Sequence, residues 1–181
     1  MTLRIAWGIT GGGDHLSESI AIMKALCAKH HPTVDVMLSK AAEIVVTRYN
    51  LLDEIKQSFN RVFIEVDSNT PFLVGPLQLG KYALLLICPA TANTTAKIAH
   101  GIADSLLTNC VAQAVKARIP VYIFPVDQHP GEIVTELPNK RTIALRMRDV
   151  DVANAEKLKH MTGVTVLPSP KEMGWIFSKL S

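Results

Sequence analysis

The stretch Tyr82-Ala-Leu-Leu-Leu-Ile-Cys88, followed by Pro89-Ala-Thr-Ala-Asn-Thr-Thr-Ala-Lys-Ile-Ala-His-Gly-Ile-Ala-Asp-Ser-Leu-Leu-Thr-Asn109, decides how the chain folds. Residues 82–88 are an unbroken apolar run of strand length, which reads as a buried strand. Pro89 has no N–H to donate, so pairing is expected to stop there. Small and hydroxyl residues follow, and a helical apolar pattern begins near Ala96. A strand that empties into a small-residue loop and then a helix start can hold an anion or cofactor, because the backbone approaches closely and the first N–H groups of the helix point outward. An ordinary strand-to-helix connection capped by Asn93 or Thr94 fits the same residues.

Outward from this centre, strands and helices alternate. Residues 3–7 read as a strand entering Gly8-Ile-Thr-Gly-Gly-Gly13, and residues 16–29 as the helix that follows. Three glycines in a row are more than a tight turn needs, and they let a backbone approach a phosphate. The spacing is neither G-x-G-x-x-G nor the Gly-Lys-Ser/Thr of a P-loop, so a mononucleotide-type phosphate and a flavin both stay open. Residues 33–38 alternate as a strand ending at Ser39, which either caps a helix through Val46 or donates to the ligand held by Thr10, Gly11, Gly12 and Gly13. Residues 61–65 read as a third strand and 67–81 as a Pro- and Gly-marked irregular loop suited to substrate or subunit contacts. A helix is expected over 99–117, then strands over 119–124, 142–146 and 164–167, with a helix over 152–159 and another from Pro170 through Phe177.

This alternation makes one α/β domain over 1–181, a sandwich on a mostly parallel sheet. Right-handed crossovers then bring the strand C-termini to one edge. That edge carries Thr10 to Gly13, Ser39, Ala90, Thr91, Ala92, Asn93, Thr94 and the loop after residue 124. Asp127 and His129 lie in that last loop, as acid/base groups or as plainly exposed side chains.

Composition narrows the partners. A net charge of +3 with no block of five basic residues gives no case for nucleic acid, and the denser basic region at 140–148 reads first as a solvated strand edge. Cys27, Cys88 and Cys110 are widely spaced and form no CxxC pair, so neither a disulfide framework nor a metal site is indicated and a reducing, cytoplasmic setting fits. No signal peptide is apparent, and no apolar run reaches the roughly 18 residues of a membrane span.

With these residues in place the chain resembles the homo-oligomeric flavin-containing cysteine decarboxylases. Pro89-Ala-Thr-Ala-Asn-Thr94 is similar to that family's Pro-Ala-Ser-Ala-Asn-Thr motif, and Lys97-Ile-Ala-His-Gly-Ile-Ala-Asp-Ser-Leu-Leu-Thr108 is similar to its following helix. The resemblance implies a three-layer Rossmann-like sandwich with a six-stranded, mostly parallel sheet that binds FMN, a homo-oligomer built from trimers, often a dodecamer or larger shell, and flavin near subunit contacts. Two departures argue against cysteine decarboxylation: Gly75 stands fourteen residues before Pro89 where those enzymes carry His, and Phe124-Pro-Val-Asp-Gln-His129 lacks their Met-Asn pair. The prenyl-transferring branch has Ser-Met-Lys-Thr where this chain has Thr91-Ala-Asn-Thr94. Gly75-Pro-Leu-Gln-Leu-Gly-Lys-Tyr82, Phe124-Pro-Val-Asp127 and Ala144-Leu-Arg-Met-Arg-Asp-Val-Asp-Val-Ala-Asn154 resemble instead the archaeoflavoproteins and acceptor-type dihydromethanopterin reductases. That branch implies reduction of dihydromethanopterin to tetrahydromethanopterin through FMN, with electrons from an outside donor such as a ferredoxin-like protein. It gives the phosphate to Thr10, Gly11, Gly12, Gly13 and Ser39, and the ribityl chain and ring edge to residues 90–94. A pure FMN electron-transfer protein and a decarboxylase-type lyase are the alternatives.

Overall fold

The computed structural model describes residues 3–137 and 139–180. In chain order the elements are β1 (Arg4–Ile9), α1 (Leu16–His30), β2 (Thr33–Leu38), α2 (Lys40–Arg48), α3 (Leu52–Ser58), β3 (Arg61–Ile64), α4 (Val74–Gln78) and β4 (Leu84–Ala90). There follow α5 (Ala92–Ala99), α6 (Leu106–Lys116), β5 (Val121–Pro125), β6 (Glu132–Glu136), β7 (Thr142–Arg146), α7 (Asp149–Lys159), β8 (Val164–Val166) and α8 (Met173–Leu180), the last led in by a 3-10 turn, Pro170–Glu172.

Six strands form a sheet in the order β3-β2-β1-β4-β5-β8, and every pair in it is parallel. The order reverses between β1 and β4, the place where open α/β sheets bind ligands. Both faces are covered, so β4 reads as a continuous apolar run rather than as an alternating one. On one face Ile5, Trp7 and Ile9 pack with Leu16, Ile20, Met23 and Phe177. On the other Ala6, Leu85 and Ile87 pack with Leu77, Leu107, Cys110 and Leu158. The Trp7 indole N–H donates to the Cys88 carbonyl at 2.8 Å, which satisfies its polar atom inside the core.

Four sequence expectations change. Pairing does not stop at Cys88: after a register shift β4 resumes, with Ala90 opposite Pro125. The helix expected over 99–117 is two helices, because Gly101 takes φ +71° and Ser105 starts a new capping box with Thr108. The loop at 67–81 contains α4 and is docked on α6, Gln78 Nε2 donating to Gln113 Oε1 at 2.9 Å and Asn109 Nδ2 to the Ser68 carbonyl at 2.9 Å. The strand at 142–146 leaves the main sheet and pairs antiparallel with β6 in a hairpin whose β7 residues are all exposed.

Candidate functional site

The C-terminal ends of five adjacent strands, β3, β2, β1, β4 and β5, are stitched to one another by backbone. The Thr10 N–H donates to the Pro89 carbonyl (3.2 Å), Ser39 N–H to Ile9 (3.1 Å), Glu65 N–H to Leu38 (2.9 Å) and Val126 N–H to Ala90 (3.0 Å). The loops that leave these strands are thereby held side by side, and the edge expected from the sequence forms.

Thr10 is buried, and its hydroxyl donates to the Pro89 carbonyl and accepts from the Thr91 N–H, both at 2.8 Å. It therefore fixes the position of the Thr91 loop. Gly11, Gly12 and Gly13 do not use the left-handed backbone that glycine allows; close approach is their reason. A Cβ on Gly11 would stand 2.6 Å from the Ala41 Cβ, and one on Gly13 2.5 Å from the Tyr49 hydroxyl. Ser39 is the cap of α2, its hydroxyl accepting from the Ala42 N–H at 3.0 Å, and its own proton stays available to a ligand.

At the central motif neither Asn93 nor Thr94 caps the helix. The cap position of α5 is Thr91, and its side chain makes no capping bond. The first-turn N–H groups of Asn93 and Thr94 have no partner inside the helix. Asn93 is exposed at this mouth, Thr94 is buried, and Ala90 is fully buried at the strand end. Among the described residues the buried Thr95 hydroxyl, one turn on, has no hydrogen-bond partner.

Asp127 closes the edge. Its half-buried carboxylate lies beside the Ala92 N–H at the start of α5, which favours the charged form. Burial, then the charges of Asp151 and Asp14, push its pKa up; the Ala92 N–H and Arg148 act the other way. Asp151 is itself buried and held bidentately by Arg148, at 2.7 Å through each oxygen. His129 lies exposed two residues on, outside this contact set. The neighbouring Gln128 is structural, donating to the Pro125 and Leu167 carbonyls at 3.0 Å each. Burial pushes the Cys88 and Cys110 thiols up to about 12, which removes both from nucleophilic roles at neutral pH.

Two contributors carry no motif in the sequence. Glu65, just past β3, accepts from the Lys40 N–H (3.0 Å) and the Leu106 N–H (2.8 Å), so one carboxylate satisfies the starts of α2 and α6. Its only sequence signal is an acid at the mouth of a strand. Asp14, next to the glycines, is the other. The Gly75 position, where the decarboxylases carry His, is packed under Phe72, whose ring would meet a Cβ at 2.5 Å.

A family model described as Flavoprotein matches residues 1–177. The chain belongs to the Flavoprotein family. Within that family it is 54% identical over 177 residues to an uncharacterised protein of Methanocaldococcus jannaschii, covering 98% of this chain and 95% of the other. It is 37% identical over 180 residues to the dihydromethanopterin reductase (acceptor) of the same organism, covering 93% and 73%. Among solved Flavoprotein-like structures, Burkholderia xenovorans DmrB in complex with FMN, described as a cubic protein cage for redox transfer, superposes with a TM-score of 0.83 at 39% identity over 98% of this chain and 94% of that one.

Proposed function

We propose that this chain binds FMN at the strand-end edge and reduces dihydromethanopterin to tetrahydromethanopterin with electrons from an external donor. The observation that carries the reading is the convergence of three uncharged, donor-rich segments, the glycine loop, Ser39 and residues 91–94, with one carboxylate of raised pKa, Asp127, at their border. The names of the relatives support the reaction class.

The residues fit the cofactor. A phosphate requires converging donors, and the N–H groups of Gly11, Gly12 and Gly13 with the Ser39 hydroxyl supply them. The start of α5 is the poorer phosphate site, because the Asp127 carboxylate lies against the Ala92 N–H. Residues 90–94 suit instead a sugar-like chain and a heteroaromatic edge: the Thr91 and Thr94 hydroxyls, the unpaired N–H groups of Asn93 and Thr94, and the Asn93 amide, which both donates and accepts. FMN, when bound, supplies hydride transfer between donor and substrate.

Asp127 then supplies the proton that the reduced pterin nitrogen needs. Its raised pKa keeps more of the acid form at physiological pH than an exposed aspartate would hold. Exposed His129 is the outer candidate for the same task. Arg141 and Arg146, both exposed, are cations that an acidic electron-carrier protein would meet, whereas Arg148 is committed to Asp151. We place the chain in a trimer-based homo-oligomer: Phe72, Leu79 and Val134 are about seven-tenths exposed, apolar surface that subunit contacts would cover.

The absorption spectrum of the purified protein, with released flavin identified by mass, tests the cofactor. Flavin bands and FMN are expected, followed by anaerobic turnover of dihydromethanopterin when the flavin is kept reduced. A colourless protein that takes up no added FMN overturns the whole reading. Bound FMN that exchanges electrons with a carrier but yields no tetrahydropterin leaves an electron-transfer protein.

A further inference from the structure

A cleft of about 440 Å³ opens beside the glycine loop, lined by Gly13, Asp14, Arg48, Tyr49, Glu136 and Lys140 among others. Its size falls within the roughly 300–1,000 Å³ of small-molecule sites. The Tyr49 hydroxyl donates to the Glu136 carbonyl at 2.9 Å, so the end of α2 and the β6–β7 hairpin are joined across it. Gly13 is what admits the Tyr49 ring to this position.

Other charged side chains in the cleft have partners. Glu136 holds Lys140 at 2.9 Å, and Glu18 is hydrogen-bonded to the His15 ring at 2.8 Å. Two charged side chains are left over: among the described residues no hydrogen bond or ion pair engages the carboxylate of Asp14 or the guanidinium of Arg48. Asp14 is half-buried, and its charge is felt at both Asp127 and Tyr49. It therefore lines the cleft and acts on Asp127 as well. A carboxylate facing the cleft calls for a ligand edge of N–H donors.

We infer that the cleft is the substrate pocket, that Asp14 accepts the adjacent ring N–H and exocyclic amino group of a 2-amino-4-oxopyrimidine edge, and that Arg48 receives an anionic group elsewhere on the same molecule. This rests on the pterin reading above and names the residue that would recognise the pterin. Two neighbouring N–H groups meet the two oxygens of one carboxylate in parallel charge-assisted bonds, a match that a 2,4-dioxo ring cannot reproduce.

The test is equilibrium binding to the full-length, FMN-loaded protein, with pterin, its 2,4-dioxo analogue lumazine, and pterin-6-carboxylate as probes. Wild type should bind pterin about tenfold tighter than lumazine, and Asp14→Asn should lose about tenfold for pterin and with it the preference. Arg48→Gln should weaken pterin-6-carboxylate alone. FMN affinity and melting temperature report whether the variants are intact. An Asp14→Asn protein that binds pterin like wild type, or a wild type that does not separate pterin from lumazine, overturns the assignment. Dihydropterin turnover distinguishes the two levels. Turnover with an unchanged kcat/KM in Asp14→Asn sinks this inference and spares the reductase reading. Asp14-dependent pterin binding without turnover does the reverse, and neither binding nor turnover removes both.

Discussion

At the scale of single residues the site is built from positions that do opposite things to stability and to function. Asp127 ionises against burial and against the charges of Asp151 and Asp14, so its folded pKa lies above the unfolded value. The sign follows: above that raised pKa the native state carries a carboxylate that it disfavours, and this cost vanishes at pH low enough to protonate Asp127 in both states. Asp127→Asn keeps an oxygen for the Ala92 N–H and removes the charge. Its melting temperature should equal or exceed wild type at neutral pH, with the gain fading toward acid, while dihydropterin turnover falls about 10²- to 10⁴-fold. Turnover like wild type would remove Asp127 from the chemistry. The glycines separate in the same way. Gly11→Ala drives a methyl into Ala41, whose backbone carbon is also only 3.2 Å away, and should cost about 1–3 kcal/mol in urea unfolding. Gly12→Ala meets only the Thr91 methyl, at an ordinary 3.4 Å. Its stability should hold while FMN affinity drops, because the added Cβ occupies the face along which the phosphate approaches. Equal FMN affinity in Gly12→Ala and wild type would move the phosphate off this loop.

At the scale of elements the break between α5 and α6 matters most, because it lets the central motif start one helix and Glu65 cap another. Ser105 builds the second start. Its hydroxyl accepts from the Thr108 N–H at 3.4 Å, and Thr108 Oγ1 accepts from the Ser105 N–H at 3.0 Å. Ser105→Ala should cost about 1 kcal/mol, read as a lower urea midpoint at unchanged slope. The sequence pattern hid this break, since Ile98, Ala99, Leu106, Leu107 and Cys110 keep a helical rhythm across it while Gly101 alone marks the stop. Strand β4 was legible because burial on both faces leaves an unbroken apolar run, and β2 because Val34, Val36 and Leu38 alternate with other residues. The β6–β7 hairpin was half missed for the converse reason. Glu132-Ile-Val-Thr-Glu136 is short, charged at both ends and mostly exposed, so it has no apolar signature, and its partner β7 was assigned to the sheet. Residues named by motif, such as Thr10, Ser39 and Thr91, do lie at the edge, yet Thr10 acts on the loop rather than facing a ligand. Asp14 and Glu65 gave no warning, because their roles come from strand order and not from neighbours in sequence.

At the scale of the whole molecule the two edges of the sheet divide the labour. The C-terminal edge presents unpaired N–H groups, hydroxyls and carboxylates that await partners. The N-terminal edge is closed by one side chain. Asp35, fully buried on β2, accepts from Arg4 at 3.0 and 2.7 Å, from Arg61 at 3.1 and 3.0 Å, from Asn60 at 2.7 Å and from the Tyr82 hydroxyl at 2.8 Å. It thereby ties β1, β2, β3 and the entry to β4 at the end remote from the ligand loops. Burial, joined by the bond to Asp35, pushes the Tyr82 hydroxyl up to about 12. Asp35→Asn keeps the shape but withdraws the charge that two guanidiniums share; Arg4 and Arg61 are 28% and 50% exposed, so water takes up part of the loss, which should be about 1–3 kcal/mol. The variant should therefore unfold at a clearly lower urea concentration. At temperatures where it stays folded, its FMN affinity should match wild type, because no part of this network reaches the glycine loop, Ser39 or the start of α5. Loss of FMN binding in a folded Asp35→Asn protein would mean that the two edges are coupled through the central strands. Retention would make the N-terminal edge a place to adjust stability without touching the site.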